Sequence, residues 1–409
     1  HDPDAAYISI APMHLRGSFW SKLARPISGL MYHGWSSLVP TDGTHAYKYT
    51  QPDLQTEFSR LHTEVLPPLA PTLLQIDDRP SDVAWLNSFT SQMFARRGSY
   101  GYSHDEAYLT LLHAQLQPEV IFEDTLLAEG LDQYRILVLV DCDVLKDSVV
   151  GRILAFQQRG GMVIGDPTLC PAITPDLTIP RFRRTKETLK DKLKILVNAN
   201  QLQKELAHRY EHYVRCSNAE LVSRVRLAGE ADYVFLINDQ REYGTYVGQH
   251  GLVMEHGLPS KGEVSVQRSD AFVYDLRHHR PVKAESDDET TRWSTRVGPC
   301  DGALYLISPR TVDGVIVESP ATTQRGGMAE VTIRVVDSHQ QSIPAVIPVR
   351  VTITDPNGRV AERSGHYGAA DGTLRLELEP AANDVPGVWQ IEVHEGASGL
   401  TAHEVMRVE

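Results

Sequence analysis

The sequence predicts a multidomain chain in which an α/β region is followed by β structure. Three observations lead there. At 409 residues the chain exceeds what one ordinary core accommodates. Short strand and helix patterns alternate between Asp82 and Gly165, the signature of a parallel sheet covered by helices. From Ala219 onward, short apolar runs separated by glycine-bearing turns take over. Composition is that of a folded chain, 41% hydrophobic and 23% charged. A net charge of -13 argues against a nucleic-acid partner or an anionic membrane, since neither polyanion is drawn to such a surface. No apolar run approaches the roughly 20 residues of a membrane span.

The first zone, residues 1–75, begins with helical apolar spacing over Ser18–Ala24, then Gly29-Leu30-Met31-Tyr32, which reads as a buried strand. A second amphipathic helix places Leu54, Phe58, Leu61 and Val65 on one face, and Pro67-Pro68 is expected to end it. Residues 76–180 alternate. Asp82–Leu86 is a strand, Asp105–Leu116 a helix, Glu119–Phe122 a strand, Arg135–Val140 a strand apolar on both faces, Val149–Gln158 a helix closed by Gly160-Gly161, and Met162–Gly165 a strand. That order describes a flavodoxin-like α/β domain, the core also used by class I glutamine amidotransferases. Residues 181–312 open with a basic stretch, Arg181–Arg184, and a helix over Lys186–Arg209, before an antiparallel β domain that includes Ala231–Ile237 and Leu304–Ile307. Residues 313–409 carry regularly spaced strands and an Asp355-Pro356-Asn357-Gly358 hairpin turn, the pattern of an immunoglobulin-like β-sandwich.

Few residues have the spacing that chemistry needs. Cys142, Cys170, Cys216 and Cys300 are far apart, so neither a metal site nor a disulfide framework is expected, and no cofactor is called for. Cys142 follows a strand, as an elbow nucleophile would, but Asp141 and Asp143 flank it and would suppress its thiolate. Asn87-Ser88-Phe89-Thr90-Ser91 lacks the glycines of a phosphate loop. His278 and His279 stand between Arg277 and Arg280, where cations disfavour a metal and a turn is expected. The one suggestive cluster is Tyr32, His33, Trp35, Asp42 and His45: an aromatic face for a sugar ring, with a carboxylate and imidazoles for its hydroxyls. A solvated loop with one packed tryptophan is the alternative.

Trp20-Ser21, Ala24, Gly29, Tyr32, Trp35, Asp42 and His45 occur in an order that resembles the end of the barrel in family 42 β-galactosidases. In that family a flavodoxin-like domain follows, with strands like Asp82–Leu86 and Tyr134–Val140. The resemblance implies that residues 1–75 are the last unit of a (β/α)8 barrel and that Trp35, Asp42 and His45 touch a carbohydrate substrate. It further implies assembly as a homo-oligomer, a trimer, and retaining hydrolysis of β-linked saccharides, galactosides among them. Asp42 stands where the family has Glu, and Ser36 where it has Arg. The two catalytic carboxylates of such an enzyme lie on earlier barrel strands, so the resemblance places them upstream of residue 1 and leaves no catalytic residue in this chain. Glu57 and Glu64 lie on the helix after the last strand and cannot replace them. The final zone departs from the family and is similar to macroglobulin-type immunoglobulin-like modules. A non-catalytic carbohydrate-binding or scaffold protein with the same architecture is the rival expectation.

Overall fold

The computed structural model describes residues 12–32, 52–94, 100–181, 188–248 and 251–409. The chain is mixed α/β with many antiparallel sheets and divides into two units. One holds the described residues up to Arg79 together with Arg224–Asn238 and Glu263–Glu409; the other holds Pro80–Ser223 and Asp239–Gly262.

The second unit is built on a five-stranded parallel sheet with the spatial order Glu119–Phe122, Val83–Asn87, Ile136–Leu139, Met162–Gly165, Leu177–Thr178. Because successive side chains on a strand point to opposite faces, a strand covered on both sides needs apolar residues at every position. Ala84, Leu86, Leu137 and Leu139 accordingly pack with Leu126, Val149, Ile153 and Phe156 of the helices Glu123–Glu129 and Asp147–Gln158. Val83, Trp85, Ile136 and Val138 face the other way, onto Leu111, Ala199, Leu202 and Leu206 of the helices Tyr100–His113 and Thr188–Leu206. The chain's direction along the sheet reverses between Val83–Asn87 and Ile136–Leu139, which makes the carboxyl ends of those strands the crevice where such sheets receive ligands.

In the first unit an antiparallel sheet runs in the order Asp77–Asp78, Leu221–Ala228 (from Arg224 on), Ala231–Asn238, Gly302–Ser308, Phe272–Asp275, Arg280–Val282. Two further sheets face each other. Ala329–Val336 lies between Gly314–Glu318 and Thr373–Leu378, while Gly387–Glu395 lies between Thr401–Val408 and Ile347–Thr354. Val331, Ile333 and Val335 from one and Val351, Ile391 and Val393 from the other are at most 1% exposed and share a core. The Asp355–Gly358 turn forms as expected, with Gly358 at φ 80 and its N–H donating to the Asp355 carbonyl over 2.9 Å.

Two expectations for the first zone are corrected. Gly29–Tyr32 is not a strand: residues 29–32 pair with nothing among the described sheets, and Met31 is 96% exposed. Three apolar residues give no strand without a neighbour to satisfy the backbone. Nor do Pro67 and Pro68 end the second helix. The α-helix Pro52–Arg60 runs into a π turn, Leu61–Val65, and a fresh α-helix, Leu66–Leu73, begins there with the prolines in its first turn. Val65 and Leu66 keep helical φ and ψ and the Leu66 amide reaches back to the Leu61 carbonyl, so the helical path continues through the prolines.

These helices bury Phe19, Trp20, Leu23, Leu61, Val65 and Leu69 in one cluster with Tyr233, Phe235, Leu304 and Leu306 of the antiparallel sheet. Trp20, fully buried, packs against Gly302: a Cβ there would sit 2.2 Å from the indole. The Arg277 guanidinium lies 5.5 Å from the ring centroid and donates to the Gly302 carbonyl over 2.9 Å. Gly302→Ala is therefore expected to displace Trp20 and cost about 1–3 kcal/mol, as core overpacking does. A red-shifted tryptophan emission at an earlier denaturant midpoint would show it, and unchanged emission would refute the contact.

Candidate functional site

Of the five residues singled out in the sequence, His33, Trp35, Asp42 and His45 lie outside the described residues. Tyr32 is half-buried and packs edge-on against Phe58, ring centroids 4.9 Å apart, and against His62 at 5.3 Å. Phe58 and His62 stack at 4.1 Å, as residues four apart on a helix do, and His62 Nδ1 donates to the Phe58 carbonyl. Burial raises the Tyr32 phenol above its ordinary pKa. Its ring is thus fastened to the second helix.

The same helix carries a carboxylate that sequence reading set aside as unsuited to catalysis. Glu57 is 7% exposed and is gripped by two guanidiniums. Arg16 donates to it over 2.7 and 3.1 Å, Arg60 over 2.7 and 3.1 Å, so both oxygens are held bidentately from both sides. Burial alone would raise its pKa, but the hydrogen bonds from Arg60 and Arg16 outweigh burial and hold it at about 2. A group so fixed in the ionised state cannot deliver a proton near neutrality. Its work is to tie the first helix to the second.

In the second unit the crevice at the carboxyl ends of the strands is filled from within. Ser88 and Thr90 lie just past the strand Val83–Asn87, where a phosphate-binding loop would be. Both donate to Glu123: Ser88 Oγ over 2.6 Å, Thr90 Oγ1 over 2.6 Å and Thr90 N over 3.1 Å, with Lys146 Nζ 3.7 Å away. Glu123 is 4% exposed. Burial would raise its pKa, and these hydroxyl, amide and lysine partners instead lower it. The chain thus places its own carboxylate where an anionic ligand would otherwise bind.

Cys142, fully buried, directs its Sγ to the carbonyls of Val140 and Leu86 at 3.5 and 3.8 Å, within the apolar layer. That is a packing role, and it agrees with the carboxylate neighbours that spoke against a nucleophile. Asp141, at φ 57, is paired with Arg181 at 2.7 Å, and its amide donates to Asp166 Oδ2 at 2.8 Å. His278 and His279 occupy the turn between Phe272–Asp275 and Arg280–Val282; His278 Nδ1 lies 2.7 Å from Asp275 Oδ2, and His279 Nδ1 donates to the Gly396 carbonyl over 2.8 Å.

Among the described residues one group has donors arranged as for a metal ion: His113, Glu220 and Asp239, whose ligand atoms lie within 4.8 Å of one another. Lys192 fits that donor set better. Its ammonium is in contact with Asp239, 2.8 Å from Glu220 Oε2 and 3.3 Å from His113 Nε2, and Arg241 also pairs with Asp239. His113 Nδ1 donates to the Ala219 carbonyl over 2.7 Å, which fixes the ring. Burial would raise the Asp239 pKa, but the His113 hydrogen bond and the Lys192 and Arg241 charges set it well below the usual carboxylate range. A cation would have to displace Lys192.

The sequence pattern missed these clusters because their members lie far apart along the chain; only Glu57 and Arg60, one helical turn apart, left a local trace.

No family model matches the chain, and no curated protein matches it. Solved structures do resemble it. A catalytic mutant of Gan42B, a GH42 β-galactosidase from G. stearothermophilus, is 12% identical, with 73% of this chain and 51% of that one covered and a TM-score of 0.45. A cold-adapted β-galactosidase from a Rahnella species is 12% identical over 73% of this chain and 52% of its own, with a TM-score of 0.43. An α-L-fucosidase isoenzyme from Paenibacillus thiaminolyticus is 13% identical over 64% and 53%, also at 0.43. The chain spans about half the length of these structures.

Proposed function

We propose that the chain is the carboxyl-terminal portion of a glycoside hydrolase that cleaves β-linked saccharides, galactosides among them, by a retaining double displacement. The observation that carries this reading is the ordered series Trp20-Ser21, Ala24, Gly29, Tyr32, Trp35, Asp42 and His45, followed, after the helices between Pro52 and Leu73, by the strand that opens the parallel sheet. On this reading residues 1–75 are the C-terminal unit of a barrel and supply its last helices, 76–180 are a flavodoxin-like domain, 181–312 a helical linker and antiparallel β domain, and 313–409 an immunoglobulin-like sandwich. Trp35, Asp42, His45, His33 and Tyr32 contact the sugar. The nucleophile and the acid/base stand on barrel strands outside this chain. The locked states of Glu57 and Glu123 support that assignment, since neither carboxyl is at liberty to exchange a proton with a substrate. Assembly as a trimer belongs to the same reading.

The test compares this chain with the protein extended to include the barrel, on nitrophenyl β-galactoside. The extended protein is expected to hydrolyse it with net retention at the anomeric carbon, and this chain to be inert. Asp42→Asn in the extended protein should lower kcat/KM about 10- to 100-fold, the range for one hydrogen bond from a charged group. Hydrolysis by this chain alone would overturn the placement of the catalytic pair. An extended protein that binds saccharide without cleaving it would establish the rival, a non-catalytic scaffold.

A further inference from the structure

We infer that the second unit holds an anion-binding groove at the amino edge of its parallel sheet, shaped for a small ligand bearing a phosphate or sulfate group. The groove has a volume of about 360 Å³, near the lower end of the range of small-molecule sites and larger than a bare oxyanion needs. It lies opposite the crevice that Glu123 closes. Three arginines from separate segments are among its lining residues, Arg135 ahead of the strand Ile136–Leu139, Arg159 after the helix Asp147–Gln158, and Arg209 beyond the helix Thr188–Leu206.

Two of these are held in place. Arg135 lies over the Tyr210 ring, 5.4 Å from its centroid, and Tyr210 is itself fixed by donating to Asp82 Oδ1 over 2.7 Å. Arg159 donates to Asp132 Oδ1 over 2.7 Å. Asp132 offsets one of the three positive charges, and three arginines against one aspartate leave the lining net positive. Gly160 and Gly161 add two residues without side chains to the lining. Gly160 adopts φ 91 with nothing within 4 Å of its missing side chain, and a Cβ on Gly161 would fall 2.4 Å from the Phe156 ring. The carbonyls that end the neighbouring helix are already engaged: Ala155, Phe156 and Gln157 accept from the amides of Arg159, Gly161 and Gly160, so the negative helix end is capped.

A planar fork suits two oxygens of one phosphate or sulfate, which a lysine ammonium does not match. In a chain of net charge -13, the overall field repels anions, and only a local cationic concavity recruits them. The glycoside-hydrolase reading plays no part in this inference.

The experiment is calorimetric titration of the whole chain with inorganic phosphate, inorganic sulfate and glucose 6-phosphate, with sodium chloride adjusted to keep ionic strength constant. Saturable binding is expected. Arg159→Gln and Arg209→Gln, both at exposed positions, should each weaken it about tenfold, the scale of one charge-assisted contact. Arg375→Gln, in the other unit, should leave it unchanged. Tighter binding of glucose 6-phosphate than of phosphate would identify an ester as the ligand, and equal binding a free anion. The inference fails if no probe saturates, or if Arg159→Gln and Arg209→Gln bind as well as Arg375→Gln.

Discussion

Glu57→Gln is expected to lower the stability of the first unit by about 3–4 kcal/mol at neutral pH, with the deficit disappearing in acid. The carboxylate is buried between Arg16 and Arg60, and its folded-state pKa of about 2 compares with 4.5 for an unperturbed glutamic acid. A group depressed in this way stabilises the fold above its unfolded pKa and loses that contribution as pH falls through the folded one. Converted at about 1.4 kcal/mol per pH unit, the shift amounts to about 3 kcal/mol, present in full above about pH 5 and lost between there and about pH 2. Glutamine keeps the shape but offers no charge, and it leaves two guanidiniums facing each other across a neutral amide. Because the chain has two units, a single unfolding midpoint is ill-defined, and the amides of Gly302–Ser308 are the place to look. Native-state hydrogen exchange there should speed up on substitution at pH 7 and match the unsubstituted chain near pH 2. An equal effect at both pH values would mean that Glu57 acts through packing and not through its charge.

The fold was legible wherever burial wrote itself into neighbouring residues. Arg135–Val140 reads as a strand because both faces are covered, leaving no polar position, and Ile136–Leu139 is indeed central to the sheet. Asp355–Gly358 reads as a turn because proline and glycine carry their backbone preference with them. Gly29–Tyr32 misled because three apolar residues look alike whether they join a sheet or lie along a surface. The π turn at Leu61–Val65 has no compositional mark, so Pro67 and Pro68 signalled an end where the structure has a beginning. Tyr32 was noticed as an aromatic residue beside ionisable ones, yet its neighbours Phe58 and His62 come from the following helix. The carboxylate locks were illegible for the same reason. Glu57 meets Arg16 from 41 positions away, and Glu123 meets Ser88 from 35. Such meetings are decided by packing between elements, which no local period records.

Lys192→Ala should destabilise the second unit by about 3–5 kcal/mol, the cost of removing one partner from a buried ion pair, and should also create a metal site. Lys192 is 8% exposed and its ammonium joins Asp239, Glu220 and His113. Without it, two carboxylates remain close together, with Arg241 still paired to Asp239. The charge carries a pH signature. Asp239 is held below its ordinary pKa, so its contribution is present at neutral pH and disappears as pH falls through its folded value. In the variant the Asp239 carboxyl loses the Lys192 charge that holds it down and takes up a proton sooner, so the stability deficit should narrow as pH falls toward about 4. The space vacated lies among three donors within 4.8 Å of one another, a set that suits zinc once the competing ammonium is gone. Zinc at about 100 times its dissociation constant should then return roughly 2.7 kcal/mol to Lys192→Ala and nothing to the unsubstituted chain. Hydrogen exchange at Ile136–Leu139 reads both effects. Equal stabilisation of both proteins by zinc would show that the ammonium does not occupy the cation's place, whereas rescue confined to the variant would show that Lys192 holds the position a metal could otherwise take.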